Sequence, residues 1–361
     1  MPTNASATAG RPRRVTRLRP NRWLTVAALL ALTGAACSAG DGPDEQPGES
    51  AEAEGPAMTG WPLTGLPLGE DPPERAAFAI KVSNSPEARP HTGLERADVV
   101  YEEVTEYGVT RFMALFHSDL PEVVGPIRSA RPVDMQILAG FATPGFAYSG
   151  ARDEVRALLA AAPVVGITEG APGFFRDDGT YASTPVAPHD LFIRVAEGFE
   201  AVTERGAGPL PDLGWRFDEP VPDGADPEAD GAEVDIVMSN AYRSGWSYDA
   251  DAGVYRREQN GVPARVTGDG RIGAANVVVL EVRHYVGESG YPETDVVGSG
   301  PAIVLRDGRR YQASWEKPNA TSPLRLLTAD GSEVFALKPG RTWIHLPERL
   351  PGDGAPTEPD A

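Results

Sequence analysis

The sequence predicts an α+β protein, an N-terminal mixed α/β domain followed by a smaller β-rich domain. Three observations carry this expectation. Runs rich in β-branched and aromatic residues, of strand length, recur at 77–82 (AFAIKV), 99–104 (VVYEEV), 111–116 (RFMALF) and 276–282 (NVVVLEV). Helical spacing of apolar residues appears between such runs only in the first half, at 131–141, 153–162 and 191–204. Between the halves, 206–232 is dominated by glycine, proline and acid, and it reads as a linker.

In chain order, residues 1–36 carry Arg11, Arg13, Arg14, Arg17, Arg19 and Arg22 with no acid, followed by the apolar run WLTVAALLALTGAA. A basic start, a short apolar stretch and small residues before a cleavage point describe a signal peptide. The run is shorter than the roughly 20 apolar residues of a membrane-spanning helix. Cys37 follows at once and is the single cysteine, which excludes an intramolecular disulfide. Gly34-Ala35-Ala36-Cys37 resembles a bacterial lipobox, departing from it in having Gly34 where an aliphatic residue is usual. The resemblance implies lipid on Cys37 and an anchor on the outer face of the cell membrane, and several acyl chains would hold it there stably. Residues 37–62 are short of large apolar side chains and read as a disordered tether.

The first domain is expected over 63–205, with strands at 77–82, 99–104, 111–116 and 146–148. Asp153 is placed at the start of a helix and 191–204 is read as one amphipathic helix. After the linker, a β-rich domain is expected over 233–347. Asn260-Gly261, Asp307-Gly308 and Asp330-Gly331 suit tight hairpin turns between its strands. Residues 348–361 are expected to be a disordered tail.

The net charge is −19, and Lys81, Lys317 and Lys338 are the only lysines. So acidic a surface repels nucleic acid, because affinity for phosphate backbones comes from basic side chains, and a nucleic-acid partner is excluded. No paired His/Cys spacing or HExxH run points to a metal, and no glycine-rich fingerprint points to a cofactor.

The densest charge lies at 96–134, where Glu102, Glu103, Glu106, Arg111, Arg128 and Arg131 sit among strand-like runs. Buried charge is costly unless paired or liganded. Arg128 and Arg131, three apart at the start of an expected helix and flanking Ser129, make a donor-rich surface for carboxylate or phosphate, with Arg111 at the next strand. The bland alternative is internal neutralisation by Glu102, Glu103, Glu106 or Asp134. Strand alternation sends Glu102 and Glu103 to opposite faces, one toward the arginines and the other toward solvent. His189, at an expected loop-to-helix junction, is a candidate for acid–base catalysis with Glu102 or Glu106. Trp246, Tyr248, Tyr255, Trp315 and Trp343 are read as aromatic core rather than a sugar-stacking row.

The runs ADVVYEEVTEYGVTRFMALF, GPIRSARPVD, APHDLF, NVVVLEV and PGRTWIHLP resemble the DUF3048 family of YerB-like lipoproteins from Gram-positive bacteria. The resemblance covers about 63–347 and implies an exported, surface-anchored protein of two domains, while supplying no catalytic residue to carry over. From the residues, the preferred function is binding of an anionic cell-envelope ligand through Arg111, Arg128, Ser129 and Arg131. The alternatives are a scaffold for envelope proteins and a hydrolase or transferase acting on wall material.

Overall fold

The three runs FAIKVS, VVYEEV and TRFMALF form strands β1 (Phe78–Ser83), β2 (Val99–Val104) and β3 (Thr110–Phe116), and nearly every residue in them is buried. Such unbroken burial means that both faces of the sheet are covered, so alternation of apolar and polar residues is lost. The computed structural model describes residues 60–70, 73–220, 227–228, 231–268, 270–287 and 290–352. The expected signal segment, Cys37, nearly all of the tether, and residues 353–361 of the tail lie outside them.

β1 pairs antiparallel with β3, and β3 with β2, giving the order β2-β3-β1. The sheet continues past β1 through Gly145–Ala147 and Val165–Ile167, both in parallel pairing. On the other side β2 pairs in parallel with Thr342–His345, from the far end of the chain, and that strand pairs in parallel with Asn276–Leu280. Gly298–Arg306, Arg309–Lys317 and then Pro227–Glu228 complete the path, with Arg325–Thr328 also paired to Arg309–Lys317. The eleven-stranded sheet therefore draws strands from both halves of the sequence, inside the compact unit Pro56–Ala361. A second, five-stranded sheet is built from Glu233–Val237, Arg243–Asp249, Val254–Gln259 and two short partners.

The architecture is thus mostly β. Helices are few and short, and the mixed α/β character expected of the first half reduces to α1 (Pro132–Leu138), α2 (Asp153–Ala161) and α3 (Val195–Glu204) among the described residues. Residues 191–204 split, against the expectation of one helix: Leu191–Arg194 is a strand, with its first three residues buried, and only the rest is helical. The LFIR run packs Leu191, Phe192 and Ile193 on both sides, which a strand can do and one helical stripe cannot. Within 206–232, Leu210 and Leu213 are buried, and Arg216–Phe217 pairs in parallel with Ala336–Leu337. Leu350, in the expected tail, is buried as well.

The turn chemistry follows the sequence at two of the three expected turns, since at Asp330-Gly331 only the glycine is left-handed, with φ of 72°. Asn260 and Gly261 have φ of 52° and 74°, and Asp307 and Gly308 have 56° and 71°, the pair of left-handed residues that a tight hairpin demands. The core lies on the two sides of the large sheet. Ala79, Tyr101, Met113 and Leu115 face one side, and Ile80, Val100, Phe112 and Ala114 the other. Trp246, Tyr255, Trp315 and Trp343 are all at most 3% exposed, which places these aromatics in the core.

Candidate functional site

The hairpin between β2 and β3 builds one wall. Thr105 closes the turn twice on Val109, its backbone N–H and its Oγ1 both donating to Val109 O at 2.8 Å, and Val109 N–H donates to Glu106 O at 3.2 Å. Ser239 Oγ braces the turn from outside by donating to Gly108 O at 2.7 Å. Glu106 is held at the tip of this hairpin, and Arg111 lies one residue into β3. The facing wall is the extended segment 127–131, tied to β1 by Arg128 N–H donating to Lys81 O and to residues 149–150 by backbone bonds from Ser149 and Ala130.

Arg128 and Arg131 do not share a helix face as expected. Arg131 immediately precedes α1, and Arg128 lies in the extended segment before it, because Pro132 starts the helix. The extended chain nevertheless directs both toward the hairpin. Arg131 donates to Glu106 Oε2 through Nη2 at 2.5 Å and Nε at 3.2 Å, and Arg111 Nη2 lies 3.6 Å from the same oxygen. Arg111 Nη1 donates to Ser129 O at 2.9 Å. Arg128 finds only the carbonyl of Pro188, at 3.4 Å, and no carboxylate lies within ion-pair distance of it among the described residues. One carboxylate therefore serves two guanidiniums, and Arg128 is left without one.

These residues line a cavity of about 550 Å³ together with Ser83, Ser85, Ser129 and Arg152. Arg152 pairs with Glu154 at 2.8 Å and stacks over Tyr291 at 4.7 Å. Burial, with the like charges of Arg131 and Arg128, pulls Arg111 down to about 10, and burial followed by Arg131 lowers Arg128. Glu106 is lowered because the Arg131 and Arg111 charges outweigh the penalty of its burial. At neutral pH the arginines are charged and Glu106 is ionised, so the cavity is cationic in a chain whose net charge is −19.

The other acids of the run go elsewhere. Glu102 and Glu103 do face opposite sides of β2, but both are fully buried and neither meets solvent. Glu103 and Asp134 share Lys81, which donates to both, at 2.6 Å in the case of Asp134. Asp134 also accepts from the backbone N–H of Arg131 at 2.7 Å, connecting this triad to the cavity wall. Burial first, and Asp134 second, raise Glu103 to about 7.

On the opposite face Glu102 accepts from Ser244 Oγ and Thr110 Oγ1, each at 2.7 Å, and from Arg257 Nη2 at 3.1 Å. His345 Nδ1 lies 3.0 Å from Glu102 Oε2. Trp246 donates to His345 Nε2 at 2.9 Å, which leaves Nδ1 to carry the ring proton toward the carboxylate. Burial would raise Glu102, but Arg257, His345 and Ser244 more than offset it and hold the carboxyl well below its ordinary range. Arg257 in turn lies 5.0 Å from the ring centroids of both Phe112 and Trp343.

His189 precedes a strand rather than a helix, and its Nδ1 lies 3.3 Å from Ser85 Oγ. Burial and the nearby Arg128 charge lower it, so the ring is neutral at pH 7. The structure brings together Arg111, Arg128, Ser129, Arg131 and Glu106, with His189 at Ser85 beside them, and it assigns Glu102 to a separate, sealed cluster. Sequence reading missed Lys81, Arg257 and His345. Lys81 had a signal, a lone cation inside an apolar strand. Arg257 and His345 had none, since they reach Glu102 only across a pairing between distant parts of the chain.

A β-rich protein with an eleven-stranded sheet shared by both halves, and a cationic cavity at one hairpin, is the class that the fold and site define. Residues 63–207 match the model described as "Protein of unknown function (DUF3048) N-terminal domain", and residues 234–344 match the model of the corresponding C-terminal domain. The chain belongs to the DUF3048 family. It is 28% identical over 294 residues to "Putative lipoprotein YerB" of Bacillus subtilis (strain 168), covering 79% of this chain and 85% of that one. The crystal structure of the YerB protein from Bacillus subtilis superposes with a TM-score of 0.68 at 26% identity, over 81% of this chain and 97% of that chain.

Proposed function

We propose that this chain is an exported lipoprotein, held on the outer face of the cell membrane by lipid on Cys37, whose Arg111, Arg128, Ser129 and Arg131 bind an anionic ligand of the cell envelope. The likeness to a protein named as a lipoprotein supports the anchor. One observation carries the binding reading: three guanidiniums converge on a single open cavity that contains one carboxylate, and Arg128 has none of its own. A ligand carboxylate or phosphate would supply the missing charge and accept bidentate hydrogen bonds from the fork of Arg128. Acid–base catalysis by His189 with Glu102 has no support, since Glu102 is sealed on the other face of the sheet.

Thermal unfolding of the full-length protein in detergent, with muropeptides, wall-polymer fragments and simple anions, tests the reading. At a hundredfold excess over Kd a ligand stabilises by about 2.7 kcal/mol, which is a rise of roughly 4–5 °C for a protein of this size. Arg128→Ala abolishes the rise while melting close to wild type without ligand. A rise that persists in Arg128→Ala, or none with any anion, would sink the proposal.

A further inference from the structure

The turn that presents Glu106 also presents Tyr107, a residue 89% exposed at the edge of the arginine cavity. Tyr107 has φ of +60° and ψ of 21°, a left-handed conformation that a bulky aromatic residue rarely adopts. Asparagine or glycine would sit there without strain and without exposing an apolar face. The backbone that carries the ring is held in place, because the turn is closed by the three bonds between Thr105, Glu106 and Val109 and braced by Ser239. An exposed aromatic ring carried on a strained, hydrogen-bonded turn at the mouth of a cavity serves something that comes to the cavity. Tyr291, 37% exposed, lines the same cavity, with its ring already faced by Arg152.

Four hydroxyls, those of Ser83, Ser85, Thr105 and Ser129, belong to residues of the same lining. A donor-rich cationic floor, hydroxyls around it and a flat ring at the lip match a molecule with an anionic group, several hydroxyls and one apolar face. A pyranose bearing a carboxylate or phosphate has that combination.

We propose that the ligand of this cavity is an anionic saccharide, its charged substituent held by Arg111, Arg128 and Arg131 and the face of its sugar ring laid on Tyr107. This rests on the binding reading above and specifies its ligand class.

Titration calorimetry on the full-length protein compares glucuronate with acetate, glucose 1-phosphate with inorganic phosphate, and adenosine 5′-monophosphate with both phosphates. The acid and phosphate arms separate the two sources of charge. The sugar anion binds about tenfold more tightly than its matched simple anion, equivalent to about 1.4 kcal/mol. Tyr107→Asn, which suits the left-handed backbone, removes that preference and leaves the simple anion's Kd unchanged, whereas Arg128→Ala weakens sugar and simple anions alike. Equal affinity for sugar and simple anions, a preference that survives in Tyr107→Asn, or tighter binding of the nucleotide than of the sugar phosphate overturns the saccharide assignment while leaving anion binding in place. Absence of all anion binding by the wild type removes both.

Discussion

Two arginine–carboxylate clusters lie near the β2–β3 hairpin, and they differ in how completely the charges are answered. Around Glu102 one acid meets Arg257, His345, Ser244, Thr110 and Asn84, and all six residues are buried. Around Glu106 one acid is shared by Arg131 and Arg111, Arg128 is left over, and the cluster opens to a cavity. Dense charge in a sequence therefore has two meanings. A cluster whose charge closes on itself away from water holds the fold, while one that is open and unbalanced can accept a ligand.

The largest effect expected from this contrast is on stability. Lys81→Ala leaves Glu103 and Asp134 buried without their cation, and Arg257→Ala does the same to Glu102. Removing one partner of a buried pair costs about 3–5 kcal/mol. Denaturant unfolding should show a loss of that order for either variant, and a loss below about 1 kcal/mol would mean that water takes over the role of the missing cation. Arg128→Ala should do the reverse, changing stability by less than about 1 kcal/mol while removing the ligand-dependent rise.

A smaller effect is expected from pH. Glu103 is raised to about 7 in the folded protein, above its ordinary value, so the folded state binds the extra proton between about 4.5 and 7. Its contribution is complete below that window and is lost as pH rises through it. Histidines such as His91 and His117, lowered by burial to about 3 and about 4, push the other way below pH 6.5. The measurement is therefore the stability of wild type minus that of Glu103→Gln, which should fall, against the wild type, as pH climbs from about 4.5 to about 7. A flat difference would show that the proton is held elsewhere in the triad. The smallest effect is at Tyr107. Relief of its left-handed backbone in Tyr107→Asn should stabilise the free protein by about 1 kcal/mol or less, and a loss instead would mean that the ring contributes to the fold.

Much of this was legible in the chain. β2 runs from Val99 to Val104 as the VVYEEV pattern predicts, and Asn260-Gly261 and Asp307-Gly308 take the backbone their chemistry requires, while Asp330-Gly331 does not. The opposite placement of Glu102 and Glu103 follows from the period of a strand, and the gathering of Arg111, Arg128 and Arg131 was anticipated from their density. The reason given for that gathering was wrong in detail, since an extended segment rather than a helix face aligns Arg128 with Arg131. Residues 191–194 were misread because LFIR, short and apolar on both sides, fits a helix stripe and a buried strand equally well without knowledge of its neighbours.

Local pattern settled β1, β2, β3, the turns at Asn260-Gly261 and Asp307-Gly308 and the alternation along β2, because these depend on neighbours within a few residues. Partner choice did not. Glu102 meets Arg257 and His345 because Thr342–His345 pairs with β2 and the Arg243–Asp249 and Val254–Gln259 strands cover that face, contacts across 142 or more positions in the case of Ser244. Whether a carboxylate closes a buried network or stands in an open cavity is set by such long-range packing, and no spacing within the chain encodes it.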